Sequence, residues 1–249
     1  MAAIYETVVL FGDSITQGAW EHNGFGARLA HAYARRSDVL NRGFSGYNTE
    51  WALPIADTIF PTSSSAVTAP VRLATIWFGA NDACLKPSPQ HVPLDRFRSN
   101  LHTLIERVPS GSAIVLITAP PVNTHQRGAD LASRDPPKEL DRSFDVTKQY
   151  AEAVKEVGKE KGVPVVDAWT ALWEAVGKEE AKLDQVLSDG LHLNAAGYEV
   201  VFRALAETLE REFPELKPEM NWREYKHPTW DWFSQHGMEG WEERRKQAP

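Results

Sequence analysis

The reading of the fold turns on VVLFGDSITQG, Val8 to Gly18, where four large apolar side chains run straight into Gly12, Asp13 and Ser14. An unbroken apolar run suits a strand covered on both faces, as in a parallel sheet. Gly, Asp and Ser are residues that end strands and open helices. The stretch therefore predicts a buried strand that stops in order to turn into a helix, with the Ser14 hydroxyl exposed at the carboxyl edge of the sheet. Unpaired N–H groups at such a helix start can stabilise a developing anion. Taken alone, the same three residues also read as an N-capping serine beside a turn aspartate.

Outward from this stretch, four further segments have strand character: DVLNRGF (38–44), RLATIWFG (72–79), AIVLIT (113–118) and VPVVDA (163–168). Between and after them lie segments with helical spacing. The clearest is 143–162, with Phe144, Tyr150, Val154 and Val157 on one side. Segment 92–108 repeats the pattern through Phe97, Leu101, Leu104, Ile105 and Val108, and 194–213 through Val200, Val201, Leu205 and Leu209. Strands alternating with helices predict right-handed crossovers and a three-layer α/β/α sandwich.

Two regions break the pattern. PPVNTHQRGADLASRDPPKELDR, 120–142, is long and rich in proline and charge, and reads as an irregular loop of the kind that forms a lid or a disordered segment. From Pro214 onward a tail carries Trp222, Trp230, Trp232 and Trp241 among charged residues. The expected organisation is one domain over 1–213 and a tail over 214–249 that packs on that domain, on a second copy in a homodimer, or over the mouth of the site.

Composition narrows the function classes. Acidic residues outnumber basic ones, 34 to 27 in 249, which argues against nucleic acid as a partner. The single cysteine, Cys84, excludes an intramolecular disulfide and reads as a buried, inert thiol. No basic leader precedes an apolar core at the N-terminus and no run is long enough to span a bilayer, so the expectation is a cytoplasmic protein without membrane insertion. No H-x-x-x-H or carboxylate cluster points to a metal, no cofactor is expected, and Asp82 reads as a support for the turn around Asn81.

The remaining parts of an acyl-transfer site stand at matching places. Gly46 follows the second strand and Asn81 the third, so the Gly46 N–H and the Asn81 carboxamide can join the Ser14 N–H as three donors around one oxyanion. A serine nucleophile needs a base. Of eight histidines, His192 differs from the rest: in LSDGLHLNAAGY it lies three residues after Asp189 in a glycine-containing turn. That spacing lets a carboxylate hold one imidazole nitrogen while the other faces the serine. Phe44, Trp51 and Phe78 are candidate walls for a substrate, although aromatic residues beside strands are also ordinary core. The competing reading, a phosphate- or nucleotide-binding module at the Gly12–Gly18 turn, lacks the G-x-x-x-x-G-K-[ST] lysine and the G-x-G-x-x-G spacing.

In order along the chain, Gly12-Asp13-Ser14, Gly46 in RGFSGYNT, Gly79-Ala80-Asn81-Asp82 and Asp189-Gly190-Leu191-His192 resemble the four blocks of the SGNH hydrolases, also called the GDSL esterase/lipase family. The wording GDSITQG, LNRGFSGYNT, FGANDA and LSDGLHL is most similar to the isoamyl acetate-hydrolysing esterase branch, and the resemblance runs from about Val8 to Glu212. It implies a flavodoxin-like sheet of five parallel strands in the order 2-1-3-4-5. It further implies Ser14 as nucleophile, His192 as base, Asp189 as its orienting acid, and an oxyanion hole from Ser14, Gly46 and Asn81. The implied activity is metal-free hydrolysis of short-chain carboxylic esters, with small-molecule esters as substrates, through an acyl-enzyme. Thioesterase, carbohydrate acetylesterase and acyltransferase chemistry remain open on the same site.

Overall fold

The computed structural model describes residues 5–60, 69–221 and 224–247, with side chains through Glu243. Five parallel strands form one sheet: β1 (Glu6–Gly12), β2 (Ser37–Gly43), β3 (Val71–Trp77), β4 (Ala113–Ile117) and β5 (Val165–Val166), in the order β2-β1-β3-β4-β5. The strands expected from sequence are present in the expected order.

Alternation along the strands explains why both faces are covered. Val8 and Leu10 of β1, Leu73 and Trp77 of β3, and Val115 and Ile117 of β4 point to one core. Val9, Phe11, Ala74, Ile76 and Leu116 point to the other. The first face is closed by α2 (Phe25–Ala32), α7 (Ala168–Ala175) and α8 (Ala195–Glu212). The second is closed by α3 (Thr49–Ile59), α4 (Leu94–Arg107) and α6 (Phe144–Lys161). Burying one such Leu, Val or Phe contributes roughly 1.5–3 kcal/mol.

This topology creates the site. The chain leaves β1 through α2 on one face towards β2, and leaves β3 through α4 on the opposite face towards β4, so the two connections diverge. A crevice opens at the carboxyl ends of β1 and β3, where ligands bind in open α/β sheets. Among the described residues no helix is long and apolar enough to cross a membrane.

Of the two irregular regions, 120–142 is more ordered than expected, and the tail takes one of its expected seats, on the domain itself. Segment 120–142 contains a helix, α5 (Thr124–Ala132), capped by the Asn123 side chain, which accepts from the Gln126 N–H at 3.1 Å. The described part of the tail is seated at the amino edge of the sheet, away from Ser14 and from the mouth of the site. There Arg36 donates to the Glu219 carbonyl at 2.8 Å and Arg35 to the Pro228 carbonyl at 2.7 Å. The Lys226 N–H returns a bond to the Arg35 carbonyl at 3.1 Å. Arg35 also lies 4.4 Å from the centre of the Tyr225 ring, and His227 sits between Tyr5 and Trp241. Residues 230–247 form α9 (Trp230–Gln247), bent at Gly237, whereas Trp222 lies outside the described residues.

Candidate active site

β1 ends where Asp13 caps a four-residue helix, α1 (Ser14–Gln17), its Oδ1 accepting from the Ile15 N–H at 2.9 Å. Thus Asp13 does the capping and Ser14 is the first helical residue. Only glycine fits just before them: a Cβ on Gly12 would lie 2.1 Å from Thr16 Oγ1 and 2.5 Å from the Trp77 carbonyl oxygen. The close approach presses α1 against the end of β3. Tyr198 of α8 adds a second anchor, donating its hydroxyl to the Ile15 carbonyl at 2.7 Å.

The sequence-distant residues meet here. Ser14 Oγ is 2.9 Å from His192 Nε2, and His192 Nδ1 is 2.9 Å from Asp189 Oδ2. The Asp189–His192 turn is closed by a bridge between Leu187 and Leu193 and by the Ser188 N–H donating to the His192 carbonyl at 2.8 Å. Asp189 Oδ1 accepts the N–H groups of Leu191 (3.0 Å) and His192 (2.8 Å). Burial works to raise the Asp189 carboxyl, but the His192 ring and these backbone bonds outweigh it and hold the group well below the usual carboxylate range. Asp189 is therefore an anion throughout the neutral range.

Gly46 and Asn81 occupy the other side of the crevice. Gly46 has φ +81°, a left-handed conformation that glycine adopts at no steric cost. Neither its N–H nor that of Ser14 has a protein acceptor among the described residues. Asn81 is buried; its Nδ2 donates to the Tyr47 carbonyl at 2.9 Å, which uses one of two hydrogens. Its Oδ1 accepts from Arg142 at 2.9 Å and from Gln90 at 3.2 Å.

Beside the Ser14–His192 pair lies a cavity of about 350 Å3 whose walls include Gln17, Glu21, Ser45, Ser188 and Tyr198. The three aromatic candidates are not among its lining residues. Phe78 is 1% exposed and packs edge-on against Phe11 at 5.1 Å, so it is core and not wall. Phe44 is half-buried against Phe11 and Tyr47, and Trp51 is exposed beside Tyr47.

Two buried carboxyls stand behind the crevice. Asp82 accepts from the Thr49 N–H at 2.9 Å and from its hydroxyl, tying the start of α3 to the Asn81 turn as expected. Yet Oδ2 of Asp82 and Oδ2 of Asp13 have no hydrogen-bond partner among the described residues. Burial, opposed by those hydrogen bonds, pushes Asp82 up to about 7 and Asp13 up to about 6. Both groups ionise near 3.8 when unperturbed, so between pH 4 and pH 7 the folded chain keeps protons that the unfolded chain releases. Stability must fall as pH rises through that window. At about 1.4 kcal/mol per unit the two sites together contribute on the order of several kcal/mol. Asp189 stays outside this window because its folded value lies below the unfolded one; its own stabilisation is lost only under more acid conditions. Urea unfolding at pH 5 and pH 8 should give a lower midpoint at pH 8, and Asp82→Asn should flatten the difference. An equal drop in the variant would mean that Asp82 is not its source.

Segment 120–142 supplies residues that sequence reasoning missed. Arg127 of α5 donates to Asp189 Oδ2 at 2.9 Å and to Asp141, and Arg142 donates to Asp141 and Asn81. Their side chains are only 5% and 2% exposed. Asn123 three residues before Gln126 was a helix-start signal for α5. Nothing local announced where the arginines would point.

A parallel α/β sandwich with a hydrogen-bonded serine, histidine and aspartate at its carboxyl edge has the framework of an acyl-ester hydrolase. Comparison with known proteins agrees. The chain belongs to the GDSL-like lipase/acylhydrolase family, whose model matches residues 10–200. It is 38% identical over 220 residues to an isoamyl acetate-hydrolyzing esterase 1 homolog of Bos taurus, covering 86% of this chain and 85% of that protein. It is 37% identical over 221 residues to a GDSL esterase/lipase of Arabidopsis thaliana, covering 85% and 88%. Among solved structures, a lipase/acylhydrolase from Enterococcus faecalis superposes with a TM-score of 0.66 at 27% identity, covering 87% of this chain and 100% of that one. The protein is accordingly a carboxylic-ester hydrolase.

Proposed function

We propose that the protein hydrolyses short-chain, acetate-type carboxylic esters through an acyl-enzyme on Ser14. The observation that carries this reading is the unbroken line from Ser14 Oγ through His192 to Asp189, with both contacts at 2.9 Å. His192 takes the Ser14 proton as Oγ attacks the carbonyl carbon, and Asp189 stabilises the imidazolium and fixes its orientation. The oxyanion is met by the Ser14 and Gly46 N–H groups and by the second hydrogen of Asn81 Nδ2. His192 returns the proton to the departing alcohol, and water then repeats the sequence on the acyl-enzyme.

The small cavity and the names of the isoamyl acetate-hydrolyzing relatives support a short acyl group. Its polar walls at Gln17, Glu21, Ser45 and Ser188 also favour a second reading, in which the alcohol half of the ester carries hydroxyls, as in an acetylated carbohydrate. A fluorophosphonate probe should label one residue per chain, Ser14, and p-nitrophenyl acetate should turn over faster than the decanoate. Failure to label, or labelling at another residue, defeats the proposal; faster decanoate turnover defeats its short-chain part.

A further inference from the structure

Segment 120–142 places two arginines where their positive charge has no reacting group to meet. Arg142 is almost completely enclosed, which is costly for a cation unless its donors are satisfied. Each of its three nitrogens has a partner: Nε donates to the Ala80 carbonyl at 2.8 Å, one terminal nitrogen to Asn81 Oδ1 at 2.9 Å, and the other to Asp141 Oδ2 at 2.5 Å. Asp141 also accepts two bonds from Arg127, each at 3.3 Å, and Arg127 donates onward to Asp189 Oδ2 at 2.9 Å. An unbroken chain of charged hydrogen bonds thus runs from Asn81 on one side of the crevice to Asp189 on the other.

The direction of these bonds matters for Asn81. Its carboxamide can present either the oxygen or the amino group to the crevice, and the two ends have nearly the same shape. A guanidinium only donates, so of the two carboxamide ends only the oxygen can accept from it. Gln90 Nε2 donates to that same oxygen and to the Gly46 carbonyl at 2.8 Å, which ties the two candidate oxyanion-binding residues together.

We propose that Arg142 is a positioning residue that holds the Asn81 amino group towards the reacting carbonyl, and that Asp141 couples this hold to the Arg127–Asp189 pair. The inference rests on the acyl-enzyme reading above. Neither arginine acts on substrate directly: Arg142 acts through Asn81, and Arg127 through Asp189, which holds His192. Because the oxyanion exists only in the transition state, loosening Asn81 lowers kcat and leaves KM nearly unchanged.

The test is a double-mutant cycle on p-nitrophenyl acetate with Arg142→Lys and Asn81→Ala. Lysine keeps the charge but lacks the planar fork that spans Ala80, Asn81 and Asp141. Arg142→Lys should lower kcat about tenfold or more at nearly constant KM, and should add nothing in the Asn81→Ala background. Multiplicative losses, a rise in KM alone, or wild-type kcat would overturn the proposal. Should Arg142→Lys fail to fold, Asp141→Asn serves instead, since that carboxylate is partly exposed and accepts from only one of the three Arg142 nitrogens. The same kcat loss, absorbed by Asn81→Ala, is expected; unchanged kcat would be decisive against the coupling. Fluorophosphonate labelling of each variant separates the two ideas. Labelling at Ser14 with multiplicative losses in kcat removes only the positioning role, whereas absent labelling of the wild-type protein removes the acyl-enzyme reading itself.

Discussion

Ser14→Ala should reduce kcat for a chromogenic short-chain ester by on the order of 10⁵–10⁶, the usual cost of deleting a nucleophile that works as a unit with its base. The side-chain partner of Ser14 Oγ is the His192 ring, which stays anchored through Asp189. The cap of α1 belongs to Asp13, so the helix start survives the substitution. Thermal unfolding should therefore move little, and a surviving activity of about 10³ over water reflects the remaining donors and substrate binding. Purified variant retaining more than a few per cent of wild-type turnover would show that the acyl group is not carried by Ser14.

Asn81→Ala has the next largest expected effect, a loss of about 10²–10³ in kcat with KM nearly constant, as for removal of one donor from an oxyanion site. The argument is electrostatic. The carboxamide is buried, and its oxygen is occupied by Arg142 and Gln90, so its free N–H is held in place before reaction begins. Truncation also leaves one terminal nitrogen of Arg142 without that acceptor, while Gln90 keeps the Gly46 carbonyl, and should lower stability by about 1–3 kcal/mol. Kinetics measured well below the variant's melting temperature separate the two effects. A raised KM with unchanged kcat would instead place Asn81 in ground-state binding.

Much of this architecture was legible because the signals are local. The run from Val8 to Phe11 reads as a two-sided strand since alternate side chains enter two apolar cores. Phe97, Leu101 and Leu104 read as a helix face since a 3.6-residue period brings them together. Ser14, Asp189 and His192 were found through short blocks whose order matched a known family. Harder to read was everything decided by distant charge. Arg127 and Arg142 look like ordinary members of a polar loop until α5 packs its first turn on Gly190, where a Cβ would approach the Arg127 nitrogen to 2.4 Å. The tail posed the same difficulty: its aromatic residues announced packing, but the seat was set by Arg35 and Arg36 at the far edge of the sheet. Phe78 misled in the other direction, since a residue one step beyond a strand can face either the crevice or the core, and here it faces Phe11.

The nucleophile and its proposed base are 178 residues apart in the chain. On a ribosome, which releases polypeptide from the amino end, the hydroxyl-bearing turn emerges long before the imidazole that would reach it. Prematurely terminated products that stop short of Asp189 would carry the serine without its proposed base. On the proposed mechanism, hydrolytic competence therefore waits on the Asp189–His192 turn and cannot precede it.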